Sequence, residues 1–192
     1  MPQDYFNQRK KTVLEKQDKS SIGSWDKKIK KLCELINKKQ EYYTTSSCSG
    51  RIVLMIDQEK KAQGLFLSVW HDRISFMKLK QEIDKLIKKE SKKLNVKFKQ
   101  EPVIFHVACK TIEDAKSFLV KAREIGFKRG GIISITRECV VIELLSTEKL
   151  EFPLIQNGKI LVNDDFLKIV LKKANKNLEK GWDKIIRLEK RV

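Results

Sequence analysis

Two periodicities organise the apolar positions of this chain. Trp25, Ile29, Leu32, Cys33 and Ile36 recur at the 3.6-residue spacing of an amphipathic helix. Ser24 stands in the N-cap position, and Asp26 sits in the first turn, where a carboxylate favours the helix dipole. Ahead of it, residues 1–19 are polar and basic, with Phe6, Val13 and Leu14 placed to dock a short helix before a turn at 20–23. Residues 52–56 form a continuous, partly β-branched apolar run, which reads as a buried strand. A polar turn at 58–64 leads to a strand at 65–70 that closes on His71-Asp72-Arg73. Residues 76–93 read as a lysine-rich helix with Phe76, Leu79, Ile83, Leu86 and Ile87 facing inward.

Pro102 opens a strand over 103–108. Thr111 with Asp114 three residues on is a capping-box start, and that helix buries Ala115, Phe118, Leu119 and Ala122 before stopping at Gly126. Gly130-Gly131 leads into a strand at 132–135, and a further apolar run covers 140–145. Asn157-Gly158, between 152–156 and 159–162, is the strongest short hairpin signal. Asn163 caps a final helix that carries Phe166, Val170, Ala174, Trp182, Ile185 and Ile186, with Gly181 as a kink or interruption. This order predicts an α/β (α+β) fold: one compact domain over 1–192, a mixed β-sheet flanked by helices, and a C-terminal helix from about 164. Gly50 and Gly131 each stand at a glycine turn entering a strand, which suggests an internal duplication. A G-x-G-x-x-G turn and a Walker loop are both missing, so a Rossmann dinucleotide site or a P-loop finds no support.

Charge changes the picture. The 192 residues carry 42 Lys+Arg against 25 Asp+Glu, a formal net charge of +17. Such an excess points to a polyanionic partner, nucleic acid first. A lysine- and isoleucine-rich surface also suits a thermophilic archaeon, but that explains the charge content rather than the imbalance. No apolar stretch reaches the length of a membrane span, and the N-terminus lacks the apolar run of a signal peptide, so a cytoplasmic protein is expected. Four scattered cysteines and two histidines predict reduced, packed thiols and no metal site.

The densest chemistry lies at Thr44-Thr45-Ser46-Ser47-Cys48-Ser49-Gly50-Arg51. Read as a loop, it offers backbone N–H groups and hydroxyls to an anion, with Arg51 as a bidentate partner. The plain alternative is an ST-rich loop capping a strand. His71-Asp72 closes a strand, where sites collect on α/β sheets. His106, inside an apolar strand, reads as a hydrogen-bonded core histidine. Gly126 to Gly131 is basic and glycine-rich, fit either to bind phosphate and stack a base on Phe127 or simply to stop a helix.

Together these segments resemble the tRNA wybutosine-synthesising protein 3 family. Residues 43–52 are similar to its S/T-x-S-S-C-x-G-R signature, and Asp18, Ser20, Gly23, Asp26 and Ile29 resemble its upstream run. Trp70-His71-Asp72, Glu101-Pro102-Val103-Ile104-Phe105-His106-Val107, Gly126 to Gly131 and Ala174-Asn175 extend the likeness over roughly 5–190. Two positions depart from it: Gly130 stands where a serine is expected, and Trp70 adjoins His71 where a spaced tryptophan is expected. The resemblance implies an S-adenosylmethionine-dependent methyltransferase with a non-Rossmann fold. It would methylate the N4 nitrogen of a demethylwyosine-type base (7-aminocarboxypropyl-demethylwyosine) beside the anticodon of tRNA(Phe). Under that reading Asp26 or His71 takes the proton. Ser46, Ser47, Cys48, Gly50, Arg51 and His106 serve the donor, with Ser46, Ser47 and Arg51 on the methionine carboxylate or on the base's aminocarboxypropyl tail. Ser20, Trp70, Phe127, Lys128 and Arg129 serve the RNA. The alternatives are a non-catalytic basic RNA-binding module and a hydrolase built on Ser46-Ser47-Cys48.

Overall fold

A computed structural model of the chain describes residues 4–15, 26–58, 64–89 and 94–192. The elements run α1 (Tyr5–Glu15), α2 (Lys27–Lys38), β1 (Tyr42–Cys48), β2 (Arg51–Ile56), β3 (Phe66–Trp70), α3 (Phe76–Lys89), β4 (Val96–Glu101), β5 (Ile104–Cys109), α4 (Ile112–Glu124), β6 (Arg129–Ile135), β7 (Val140–Leu145), β8 (Leu150–Gln156), β9 (Lys159–Ile160) and α5 (Asp164–Glu189). The expected α+β class is realised, and the fold is not a Rossmann one. The strands, expected in one mixed sheet, form two sheets, and every pairing among the described residues is antiparallel. Periodicity fixes which face of a strand is buried, not which strand lies beside it.

The chain makes two compact units from interleaved segments. One comprises Met1–Ser49, Val103–Thr147 and Gly181–Val192; the other comprises Gly50–Pro102 and Glu148–Lys180. In the first, the sheet runs β1-β5-β7-β6. Alternation along β5 and β7 puts Phe105, Val107, Val140, Ile142 and Leu144 on one face, in a core with Ile29, Leu32 and Ile36 of α2 and Phe118 and Ala122 of α4. The capping box at Thr111/Asp114 forms as expected, and Ala115, Phe118, Leu119 and Ala122 are the buried face of α4. On the opposite face, Phe6 of α1 packs with Tyr43, Ala108 and Cys139 at one end of the sheet. The expected N-terminal helix is α1, anchored by Phe6.

In the second unit the sheet runs β3-β2-β4-β8-β9. The Phe98, Phe152 and Phe166 rings, with centroids 5.2 and 5.4 Å apart, tie β4 and β8 to α5. Asn157 (φ 50) and Gly158 (φ 73) make the expected hairpin. Asn163 Oδ1 accepts the Phe166 N–H at 2.9 Å, the expected cap of α5. Strand β4 is absent from the sequence reading. Val96, Phe98 and Gln100 point inward, and alternation turns Lys97 and Lys99 outward, so the apolar row of this strand is interrupted by charge at every second position.

Four further expectations change. The hydroxyl-rich segment is strand β1 at a sheet edge, not a loop; tyrosine and threonine suit a pleated edge with one wet side. Gly181 neither kinks nor interrupts α5, which runs unbroken for 26 residues. A Cβ there would lie 2.7 Å from Val103 Cγ2, so the glycine serves a close approach of α5 to the segment that enters β5. The glycines taken as a duplication signal are not equivalent: Gly50 precedes the central strand β2, whereas Gly131 lies inside the edge strand β6. Helix α2 begins at Lys27 with Asp26 in the N-cap position; Ser24, Trp25 and Ser20 lie outside the described residues. No helix among the described residues is long and apolar enough to cross a membrane.

Candidate functional site

Strand register in the first unit arranges its chemistry in rows. Facing away from the α2/α4 core, Cys48, Ile104, Leu145 and Arg129 make one row across β1, β5, β7 and β6. The next row is Ser46, His106, Glu143 and Gly131. The row after that, Tyr43, Ala108, Val141 and Ser134, lies toward Phe6 and α1. The middle row is polar throughout. His106 Nε2 lies 2.8 Å from Glu143 Oε2, with the side chains 22% and 30% exposed. His106 is therefore not a core histidine: its apolar neighbours Phe105 and Val107 face the helices, and alternation turns the imidazole to the other side. Thr45 Oγ1 donates to the His106 carbonyl at 3.4 Å, at the β-bulge between Thr44 and Ser46. Ser46 is exposed, whereas Ser47 alternates to the covered side and shares a 3.3 Å hydrogen bond with Cys33 Sγ.

Burial pushes the Cys33 thiol up to about 11 and the Cys109 thiol up to about 12. These thiols and Cys139 are buried, Cys48 is half-buried, and none of the four forms a disulfide. The expectation of packed, reduced thiols holds for the three buried ones.

Asp26 holds a turn. Its Oδ2 accepts the Ser49 N–H at 2.9 Å and the Ser49 hydroxyl at 3.2 Å. The Trp182 indole N–H donates to the Ser49 carbonyl at 3.1 Å, and the Lys28 ammonium sits 4.7 Å from the Trp182 ring centroid. Ser49, fully buried, is thus fixed at both its N–H and its carbonyl.

In the second unit, Gly50 has φ 87, and a Cβ there would lie 3.1 Å from the Glu101 carbonyl oxygen. Arg51 donates through Nε to Glu101 Oε2 at 2.5 Å, and its guanidinium lies 4.6 Å from the Phe66 ring centroid. Lys99 Nζ is 3.0 Å from the other Glu101 oxygen. Burial pushes the Glu101 carboxyl up, but the Arg51 and Lys99 cations outweigh it and hold it below the ordinary range. Trp70, half-buried, pairs with Ile52 across β3 and β2; His71, also half-buried, and exposed Asp72 follow it. Asn175 of α5 brackets Ile74 just beyond, accepting its N–H at 3.2 Å and donating to its carbonyl at 2.9 Å.

The structure corrects Phe127. It is 1% exposed and packs edge-on to Phe105, so it cannot stack a base. The helix stop at Gly126 turns the next side chain straight into the core and leaves Lys128 and Arg129 exposed. Gly130, at φ 145, would place a Cβ 2.3 Å from the Glu143 carbonyl oxygen, so this backbone excludes the serine expected there. Sequence reasoning missed Glu143 and Trp182. A single acid inside the apolar run Val140-Val141-Ile142-Glu143-Leu144-Leu145 was the available signal for the first; Trp182 looked like ordinary helix core.

Compared with known proteins, residues 8–192 match the family described as Methyltransferase TYW3. The chain is 38% identical over 165 residues to a protein of Archaeoglobus fulgidus, covering 84% of this chain and 79% of that one. It is 34% identical over 190 residues to one of Thermococcus sibiricus, covering 97% and 94%. Both relatives are named tRNA(Phe) 7-((3-amino-3-carboxypropyl)-4-demethylwyosine(37)-N(4))-methyltransferase. A tRNA wybutosine-synthesizing protein 3 homolog of Xenopus laevis is 33% identical over 190 residues, 96% of this chain and 73% of that one. Among solved structures, the PH1069 protein of Pyrococcus horikoshii superposes with a TM-score of 0.84 at 30% identity, covering 100% of this chain and 97% of that one.

Proposed function

The chain belongs to the methyltransferase TYW3 family, and from that membership we propose that it methylates tRNA(Phe) at the N4 nitrogen of a 7-(3-amino-3-carboxypropyl)-4-demethylwyosine base at position 37, beside the anticodon, in wybutosine biosynthesis. The observation that carries the reading is near-full-length similarity to enzymes so named. The methyl donor is S-adenosylmethionine, which supplies an electrophilic methyl group on a sulfonium. Alignment of that group with the acceptor nitrogen supplies much of the rate.

The chain's own residues divide the remaining work. The donor's carboxylate needs a hydroxyl or a cationic partner: exposed Ser46 on β1 of the first unit offers the one, and Arg51 on β2 of the second unit is the alternative. Gly50 lets the backbone turn immediately before Arg51, and Ser47 and Cys48 shape the strand end. The acceptor nitrogen gives up one proton, and Asp26 or His71 takes it. Asp26 also fixes Ser49, so it orders the turn that leads into β2. The +17 charge draws the anticodon arm, with Ser20, Lys128 and Arg129 against the phosphates and Trp70 as the stacking aromatic. The cytoplasm is the compartment where such a substrate is met.

Calorimetry tests the reading: S-adenosylmethionine is titrated into the protein, with and without unmodified tRNA, at two salt concentrations. Micromolar donor binding, weakened by Ser46→Ala or Arg51→Ala, is expected. Strong salt-dependent tRNA binding without donor binding would replace the enzyme with a non-catalytic RNA-binding module. Asp26→Ala and His71→Ala should cut turnover while leaving tRNA affinity nearly unchanged; undiminished turnover in both removes them as the base.

A further inference from the structure

The middle row of the first unit's open sheet face has a chemistry of its own. Ser46, His106 and Glu143 sit opposite one another on three neighbouring strands, and Gly131 ends the row with no side chain and no heavy atom within 4 Å of where a Cβ would stand. The row is partly solvent-accessible, so its polar groups are not a closed core network. Glu143 accepts at His106 Nε2 over 2.8 Å. In the neutral imidazole this puts the proton on Nε2 and leaves a lone pair on Nδ1. The row therefore combines an imidazole acceptor backed by a carboxylate with the hydroxyl donor of Ser46.

A ligand that answers this row carries an ammonium group for the imidazole–carboxylate side and a carboxylate for the hydroxyl side. That is the α-amino-acid group. We propose that the Ser46–His106–Glu143 row binds an α-amino-acid end: His106 Nδ1 accepts from the ammonium, Ser46 donates to the carboxylate, and Glu143 is a positioning residue that fixes the imidazole. Gly131 leaves the room above Glu143 for the group to lie across the sheet. The inference rests on the proposed function, because both molecules of that reaction carry such a group: the methyl donor, and the aminocarboxypropyl substituent of the acceptor base. The two sources share one chemistry, and the experiment separates them.

The test uses the full chain. Affinities are measured for S-adenosylhomocysteine, for 5′-methylthioadenosine (the same nucleoside without the amino-acid end), and for tRNA with and without the aminocarboxypropyl group. His106→Gln and Glu143→Ala are compared with the conservative Glu143→Gln. With only two histidines in the chain, long-range proton–nitrogen spectra of a His71→Gln background report His106 alone, and they check that each Glu143 variant is folded. The wild type should show the Nε2–H tautomer. Glu143→Ala should lose it, and Glu143→Gln should keep it through the amide oxygen.

If the donor's end sits on the row, His106→Gln and Glu143→Ala weaken S-adenosylhomocysteine roughly ten-fold or more while methylthioadenosine is unchanged. If the base's tail sits there, only tRNA carrying the aminocarboxypropyl group is weakened by that amount. Equal weakening of each ligand and its truncated counterpart, or no weakening of either pair, overturns the inference. If wild-type protein binds S-adenosylhomocysteine normally and neither pair responds, the row fails while the methyltransferase reading stands. If wild-type protein binds no donor with or without tRNA, that reading fails instead.

Discussion

Replacing Gly130 with serine would restore the residue expected at that place in the motif, and it should destabilise the protein. The backbone at Gly130 has φ 145, a region closed to L side chains, and residues forced there cost about 1–3 kcal/mol. A Cβ would also stand 2.3 Å from the Glu143 carbonyl oxygen and 3.1 Å from Leu144 Cα, both backbone atoms of β7. Relieving that overlap means shifting the paired strand, at about 1–3 kcal/mol more. The stiffer unfolded chain offsets about 0.4–1 kcal/mol. The net loss is roughly 1–6 kcal/mol, a fall in melting temperature of roughly 2–22 °C for a chain of this size. Thermal and urea melts followed by circular dichroism read it. Gly131→Ser is the control: its Cβ meets nothing within 4 Å, so stability should change by no more than about 0.5 kcal/mol. A Gly130→Ser protein melting within a degree of wild type, or a control equally damaged, would refute the argument.

Four other outcomes are expected. Phe127→Ala should cost about 3–5 kcal/mol, seen in urea melts, because the ring is core rather than an RNA platform. Glu101→Gln should destabilise by about 1–3 kcal/mol at neutral pH, since it leaves Arg51 and Lys99 without their carboxylate. Glu101 is held below its ordinary range, so its contribution is present above the unfolded carboxyl range and is lost as pH falls through the lower folded value; the variant's acid melting profile should be flatter there. Trp182→Phe removes the N–H that holds the Ser49 carbonyl and should cost about 1 kcal/mol, read as a shifted urea midpoint. Lys128→Ala and Arg129→Ala should each lower the log–log salt slope of tRNA binding by about one, measured by anisotropy, with donor affinity unchanged.

The legibility of this chain varied with the kind of information. Helix faces were readable wherever burial had one side: Ile29, Leu32 and Ile36 of α2 and Phe118 and Ala122 of α4 face the core as their spacing demanded. Local turn chemistry was readable for the same reason, because the Thr111/Asp114 box and the Asn157-Gly158 hairpin are satisfied within a few residues. The identity of the family was carried by short motifs that need no fold to be recognised. Strand β4 was obscured because its outward row is lysine, and β1 because hydroxyl residues serve edges and loops alike.

Local patterning along the chain settles the class of structure, the helical faces, the caps of α4 and α5 and the excess positive charge. The tertiary structure alone decided the partners. It put Glu143 against His106 across 37 residues, Asp26 on Ser49 across 23, and Trp182 on the same serine across 133. It also turned Phe127 inward and left Ser46 outward. Strand order and register are set by which apolar surfaces come to cover one another, a global minimum of exposed area that no local window contains. Chemistry built across neighbouring strands is therefore fixed only when the sheet is.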